Sequence, residues 1–304
     1  MNNQDATPQE FAGRLSEGRD WREIVAWVGD LPPMPHVASR AIGMVEDPAT
    51  TAQELSDLLS SDTALAARVL KIANSAMFCR QREINTLNQA IMLIGFKALK
   101  GIIVAATLRQ ISRKFGKTEK LIWENSMCTA MSATTIAKHL KKKYVEEIFL
   151  LGLLHSLGQT VFLSQDDLSA DYRNVIAYVS DHNCDYVTAE QEVMGFAHPL
   201  IGALVAKKWN FSAETCQIIL HYKDPIADLN LDSSQDEKSL LIQLADIVTH
   251  QAGIGSPEGY PDQTETMLIL AKKLGFDQAN LEEDLNKIVE ETKERFLAES
   301  HIYS

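Results

Sequence analysis

Four side chains in the second half of the chain could bind a metal ion: His155, His198, His221 and Asp246. Each lies among apolar residues, and we interpret each as part of a separate helix. Imidazole nitrogens and a carboxylate suit a divalent transition metal, and helical proteins build such sites from facing helices. Ligands on different helices have no fixed spacing. The sequence therefore leaves open a second interpretation, in which these side chains are hydrogen-bonded residues of the core.

His155 occupies the most apolar segment of the chain, FLLGLLHSLGQTVF at residues 149–162. As a helix this segment is apolar on almost every side, which predicts a central and buried position. A buried imidazole without a hydrogen-bond partner costs about 1–3 kcal/mol, so His155 needs either a partner or a ligand. Taken alone, a single histidine on an apolar helix favours the hydrogen-bonded core residue.

The composition sets limits on function. The chain has 304 residues, enough for one large domain or two ordinary ones, and 45% of them are hydrophobic, which excludes wholesale disorder. The formal net charge of -12 disfavours nucleic acid as a partner. The four cysteines contain no CxxC pair, which suits a reducing cytoplasm. The sequence shows neither an apolar run of membrane-spanning length nor a signal-peptide core. We therefore expect a cytoplasmic protein without a membrane partner.

The signals for secondary structure predict an all-α fold. Thr51-x-x-Glu54 and Thr86-x-x-Gln89 are capping boxes, and Asp62 is a candidate N-cap. Apolar residues recur at helical spacing along most of the chain, and few segments alternate with period two.

A seam near residue 116 divides the predicted helices into two packed lobes. We predict a lead-in helix within residues 1–30, an N-terminal lobe over 31–116, a second lobe over 117–255 and further helices over 256–304 that pack on the second lobe. The loop at 252–262, rich in Gly and Pro, is a candidate cover for a cleft in that lobe.

Several segments resemble the signature of the HDOD domain, the non-enzymatic branch of the histidine–aspartate (HD) phosphohydrolase superfamily. In the first half these are LPPMP at 31–35, SSDTALAARVLKIANSAMF at 60–78 and INTLNQAIMLIG at 84–95. In the second half they are LIW at 121–123, LGLLHSLG at 151–158, EQEVMGFAHPLIG at 190–202, WNF at 209–211 and IILHY at 218–222. The resemblance covers about residues 25–255. It implies an HDOD-type bundle packed on an HD-like bundle, and a role in bacterial two-component or cyclic-dinucleotide signalling.

The resemblance also implies how much of a hydrolase site remains. HD hydrolases hold their metal with a first histidine, an adjacent His-Asp pair and a later aspartate, and those places fall here on Asn125, His155-Ser156 and Asp246. His198 and His221 match accessory ligand positions of the cyclic-dinucleotide phosphodiesterase branch.

The substitutions in this ligand set predict an inactive site. Ser156 brings no negative charge, and Asn125 offers only an amide oxygen. Without a firmly held metal, no water is activated for hydrolysis. We therefore predict no catalytic residue and no cofactor. If a divalent transition metal does bind, its ligands are His155, His198, His221 and Asp246.

The sequence thus predicts a signalling or adaptor module that acts by binding a protein partner, with a nucleotide-type ligand as a further candidate. Asp62, Arg68 and Lys71 are a candidate partner surface, although a solvated helix face would give the same pattern. The alternative function is a metal-dependent phosphohydrolase or phosphodiesterase that acts on a nucleotide or cyclic dinucleotide.

Overall fold

The protein is described from a computed structural model, which covers residues 14, 20–31, 33–75, 78, 84–111 and 116–303. Over these residues the chain consists of helices and connecting loops without a β-strand, so the predicted all-α class is confirmed. The helices of the first half are α1 (Trp21–Asp30), α2 (His36–Glu46), α3 (Ala52–Ser60), α4 (Thr63–Ala73), α5 (Leu87–Ile94) and α6 (Phe96–Ile111). Those of the second half are α7 (Lys117–His139), α8 (Val145–Leu154), α9 (Leu157–Ser164), α10 (Asp166–His182), α11 (Tyr186–Met194), α12 (His198–Lys208), α13 (Ala213–His221), α14 (Ser234–Gln251), α15 (Thr264–Leu274) and α16 (Leu281–Tyr303), with a 3₁₀ turn at Ile226–Asp228.

The predicted capping residues begin their helices. At the start of α3, the Thr51 hydroxyl accepts from the Glu54 backbone N–H at 3.2 Å, and the Glu54 carboxylate accepts from the Thr51 N–H at 2.9 Å. Thr86 and Gln89 form the same capping box at α5. Asp62 caps α4 by accepting from the first backbone N–H groups of that helix. The local signals for these three helices are therefore confirmed.

The central apolar segment is two helices rather than the single helix predicted. The break falls at His155 and Ser156, where the His155 ring makes a hydrogen bond to the carbonyl of Gly152 and Ser156 leaves helical geometry. By length and composition alone, residues 145–164 could cross a membrane, with a mean hydropathy of 1.3, but 83% of their most apolar window is buried inside the protein. These residues are core helices.

Two glycines allow these core helices to pack closely. A Cβ added at Gly152 of α8 would lie 2.5 Å from Ala130 Cα of α7. A Cβ added at Gly158 of α9 would lie 2.2 Å from the backbone oxygen of His198, at the start of α12. Real Cβ atoms do not approach other atoms so closely, so α9 and α12 require glycine at their crossing.

Buried apolar side chains form two clusters. The larger cluster joins the first half to α7–α12, for example through Ile102 of α6, Met127 of α7 and Phe149 of α8. The smaller cluster packs α14, α15 and α16 against α7 and α8. Because the larger cluster crosses the seam at residue 116, the division into two lobes stays a prediction. The lead-in helix is α1, and residues 1–13 and 15–19 lie outside the described residues.

The contact at Gly158 gives a direct test of this packing. We expect Gly158→Ala to lower the free energy of unfolding by about 1–3 kcal/mol, because the methyl group must push α9 away from α12. Gly43→Ala is the matched control, since nothing lies within 4 Å of its added Cβ. That change should raise stability by about 0.5–1 kcal/mol through helix propensity. Urea unfolding measures the free energy of unfolding of both variants. Equal changes in the two variants would contradict the close contact at Gly158.

Candidate functional site

The carboxylate of Asp246 lies at the centre of the site. Asp246, on α14, is 3% exposed, and its Oδ1 accepts a hydrogen bond from the Asn125 amide of α7 at 3.0 Å. The Nε2 atom of His155, at the C-terminal end of α8, lies 3.4 Å from the same oxygen. The fold therefore brings together three of the residues that the sequence singled out.

The His155 imidazole is held from both sides. Its Nδ1 faces the backbone oxygen of Gly152 at 2.6 Å, and its Nε2 faces Asn125 Oδ1 at 2.9 Å. Because the Asn125 amide group donates to Asp246, its oxygen must face His155. Both ring nitrogens of His155 therefore have protein partners in this arrangement.

Lys223 supplies the positive charge beside Asp246. Its Nζ lies 2.6 Å from Asp246 Oδ2, and its side chain is 10% exposed. Burial by itself would raise the pKa of Asp246, but the charge of Lys223 and the contacts with His250 and His155 hold that pKa well below its usual range. Burial would lower the pKa of Lys223, whereas the negative charge of Asp246 raises it. Both members of the pair are therefore ionised at neutral pH.

His250 and the loop that follows α14 close the site on one side. His250 Nε2 lies 3.2 Å from Asp246 Oδ1, and its Nδ1 lies 2.7 Å from the Ser256 hydroxyl. At Gly255, with φ of +70°, a Cβ would lie 2.4 Å from Asn125 Cβ. The loop that the sequence indicated as a cover thus packs directly on the site.

The cavity around Asp246 is narrow. It holds about 180 Å³ of space between atoms, none of it wide enough for a water molecule. Its described lining consists of Asn125, His155, Gln159, Tyr186, His198, Tyr222, Lys223, Asp246 and Tyr260.

His198 lines the same cavity but belongs to a second hydrogen-bond network. Its Nδ1 and backbone N–H both contact Glu190 Oε2 at 2.7 Å, and its Nε2 contacts the Tyr222 hydroxyl. Glu190 also accepts from the Tyr172 hydroxyl at 2.7 Å. Burial and the charge of Asp246 raise the pKa of Tyr222 well above its usual range, so the phenol keeps its proton and donates to His198. Both ring nitrogens of His198 therefore have protein partners.

His221 lies outside the cavity. Its ring is half-buried, with Nδ1 2.6 Å from an Asp224 carboxylate oxygen and Nε2 2.8 Å from Gln217 Oε1. The Arg14 guanidinium contacts both His221 and Asp224. The structure thus places His155, His198 and Asp246 around one cavity and leaves His221 in a separate cluster.

The residues around Asp246 do not fit the metal centre that the resemblance implies. Lys223 and Asn125 take the two carboxylate oxygens, and a lysine ammonium repels a divalent cation. Ser156, at the place of the missing aspartate, makes a hydrogen bond to the Ser126 hydroxyl of α7. In the part of the chain that the structure describes, no group of three or more His, Cys, Asp or Glu side chains is arranged to hold a metal.

Three residues of the site are missing from the sequence prediction: Lys223, His250 and Glu190. His250 did carry a signal, because it lies four residues after Asp246 on one helix and therefore on the same face. Lys223 carried none, since it follows α13 in a loop, where lysine is normally exposed. Glu190 is fully buried, and an acidic residue on a helix gives no sign of burial.

The predicted partner surface on α4 contains one structural residue and two basic ones. Asp62 is engaged as the helix cap. Arg68 is half-buried, and its Nη1 makes no hydrogen bond to the residues that the structure describes. Burial and the charge of Arg68 lower the pKa of Arg109 on α6. Lys71 is exposed at the end of α4. Lys71 is therefore the exposed basic residue among these three.

The described residues form an all-α domain with a buried polar network around His155 and Asp246. The model of the HDOD domain family matches residues 31–225, about two thirds of the chain, and the chain belongs to this family. A curated relative, an uncharacterised protein of Treponema pallidum (strain Nichols), is 25% identical over 210 residues. The aligned region is 66% of this chain and 39% of that protein, so the chain spans about two fifths of the relative's length.

Solved structures share the fold. A Geobacter sulfurreducens HDOD domain protein of unknown function is 23% identical, with a TM-score of 0.70 over 91% of this chain and 97% of that one. A candidate phosphohydrolase from Shewanella amazonensis SB2B is 25% identical, with a TM-score of 0.66 over 90% and 97% of the two chains. A candidate signal transduction protein from Marinobacter aquaeolei VT8 is 19% identical, with a TM-score of 0.65 over 98% and 64%.

The pairing of Lys223 with Asp246 predicts a strong effect on stability. Lys223→Met leaves a buried carboxylate without its positive partner, and we expect the free energy of unfolding to fall by about 3–5 kcal/mol. The double variant Lys223→Met/Asp246→Asn removes the uncompensated charge and should recover most of this loss. Denaturant unfolding at neutral pH measures both. The ion pair is contradicted if the changes in the free energy of unfolding caused by Lys223→Met and by Asp246→Asn simply add up in the double variant.

Proposed function

We propose that this HDOD protein is a signal-transduction module that acts by binding and does not hydrolyse a phosphoester. One observation carries the proposal: Lys223 and Asn125 satisfy the Asp246 carboxylate that would otherwise bind a metal. The narrow cavity beside it supports the same proposal, because a substrate and an attacking water both need space there.

The module's output would then be a contact with another protein in the cytoplasm. A nucleotide-type ligand as the input, including a cyclic dinucleotide, is a narrower form of this proposal. The rival function, a metal-dependent phosphohydrolase, is favoured by the fold that the chain shares with solved structures such as the Shewanella protein. The lysine and the amide that contact the Asp246 carboxylate argue against a phosphohydrolase.

Metal analysis and an activity screen separate the two functions. We expect the purified protein to retain less than a stoichiometric amount of Mn, Fe or Mg after incubation and desalting. We also expect no turnover of mononucleotide, cyclic-nucleotide or cyclic-dinucleotide phosphoesters with any of these metals. The physical reason is that an ammonium and an amide already occupy the carboxylate.

A variant designed to bind a metal ion is the comparison for the wild-type protein. Asn125→His/Ser156→Asp/Lys223→Ala restores a histidine and a carboxylate and removes the competing ammonium, and it should bind Mn²⁺ more tightly than the wild type. The rival is correct if the wild-type chain holds one metal equivalent and hydrolyses a phosphoester, with both properties lost in His155→Ala and Asp246→Ala.

For the partner contact we propose the basic residues of α4, Arg68 and Lys71, and a partner with an acidic surface. Asp62 belongs to the helix cap and contributes to stability instead. The chain has a net charge of -12, so most of its surface repels an acidic partner. Positive side chains on α4 would attract such a partner to this face.

Charge reversal tests this surface. We expect Lys71→Glu to weaken recovery of a partner co-purified from the native cell by about fivefold or more, because like charges then face each other. Lys293→Glu, an exposed lysine on α16, makes the same charge change elsewhere and should leave recovery unchanged. Equal losses in the two variants, or none in either, would exclude the α4 surface.

A further inference from the structure

The loop that follows α13 carries two ionised side chains next to each other, and each has its own partner. Lys223 pairs with Asp246 inside the narrow cavity, with Nζ 2.6 Å from Oδ2. The next residue, Asp224, pairs with Arg14, which lies 210 residues away in the sequence. The lysine that neutralises Asp246 is therefore the chain neighbour of a residue that binds the N-terminal segment.

The Arg14 guanidinium is in close contact with the end of α13 and with this loop. Its Nη2 donates to both carboxylate oxygens of Asp224, at 2.8 and 2.9 Å, and lies 2.9 Å from His221 Nδ1. The side chains of Arg14 and Asp224 are 24% and 22% exposed, so solvent screens their charges only in part. The backbone oxygen of Arg14 also accepts from the Gln191 amide of α11 at 3.0 Å. Arg14 is thus bound through its side chain and through its backbone.

The loop has further contacts on both sides of this ion pair. At its start, the Tyr222 hydroxyl contacts the His198 ring. Further along, the ammonium of Lys273, on α15, donates to two carbonyl oxygens at and just after the 3₁₀ turn. The Arg14 contact lies between these two anchors, so it fixes the backbone on the C-terminal side of Lys223.

The position of Lys223 depends on the backbone that carries it. Ordering a lysine side chain costs conformational entropy, and removing its ammonium from water costs solvation, so the buried pair needs support from the rest of the loop. Movement of Lys223 out of the site moves the backbone of Asp224 and breaks its contact with Arg14. Because local opening is governed by the contacts that the moving segment makes, the Arg14 contact adds to the free energy of opening at Asp246.

We propose that Arg14 is a latch on the Asp246 site: its ion pair with Asp224 holds the loop after α13 and thereby keeps Lys223 on Asp246. Arg14 is a positioning residue, since it acts on Lys223 through Asp224. An acidic group of a partner that takes the guanidinium from Asp224 would loosen the buried ion pair from a distance. The latch does not rest on the proposed function, because opening of the pair can be measured whether or not the protein hydrolyses a phosphoester.

Amine labelling of the full chain measures this opening. Acetic anhydride reacts with a buried lysine only when local opening brings its amine to solvent, and mass spectrometry gives the rate at each lysine. In the wild type, Lys223 should react much more slowly than the exposed Lys71. Arg14→Ala should raise the rate at Lys223 by about fivefold, because opening then breaks one ion pair fewer.

A second substitution tests whether the effect passes through Asp224. Asp224→Ala removes the same contact from the other side and should also raise the labelling rate at Lys223. The double variant Arg14→Ala/Asp224→Ala should react no faster than the faster single variant, because both substitutions break one interaction.

Two controls separate the latch from a general loosening of the protein. Arg22→Ala removes a positive charge from α1, where that side chain is 74% exposed, and should leave the rate at Lys223 unchanged. Lys238, which is 6% exposed and paired with two glutamates, should keep its wild-type rate in every variant. The latch is overturned if Arg14→Ala leaves the Lys223 rate unchanged, if Arg22→Ala raises that rate as much, or if Lys238 reacts faster by the same factor.

Discussion

A carboxylate without access to water must be neutralised within the protein, and this requirement organises the second half of the fold. Asp246 lies on α14, whose side chains from Lys238 to Thr249 are all buried, so solvent cannot stabilise its charge. Lys223 brings the compensating charge from the loop after α13, and Asn125 brings an amide from α7. Three separate segments are therefore fixed relative to one another by one ion pair and its hydrogen bonds.

The positive charge beside Asp246 comes from a lysine side chain of the protein, and this differs from a bound metal ion in how folding depends on it. Metal-dependent sites couple folding to the supply of the ion, because the ligands repel one another without it. Here the positive charge is part of the chain, so the site is complete as soon as the helices assemble. The cover loop can then pack against Asn125 through Gly255, and the second network at His198 and Glu190 fills the remaining wall.

Local chemistry in the sequence predicted much of the fold. Capping residues such as Thr51 and Thr86 act on the backbone within three residues, so their signals survive without tertiary information. The break between α8 and α9 depends on how the His155 ring turns back on Gly152, which periodicity does not encode. Burial of Lys223 likewise depends on where the loop after α13 is placed. His221 shows the same limit, since its position at the end of α13 directs it to Asp224 instead of Asp246.

Two helices extend from the narrow cavity at Asp246 to a larger cavity lined by Ser164 and Trp209. α9 begins two residues after His155 and ends at Ser164, and α12 begins with His198 and ends beside Trp209. The two helices touch where Gly158 meets the His198 backbone, next to the Asp246 cavity. The contacts of the His198 backbone and ring with Glu190 hold the start of α12 at this crossing. The hydrogen bonds and the ion pair around Asp246 therefore contribute to the packing of helices whose other ends line a second cavity.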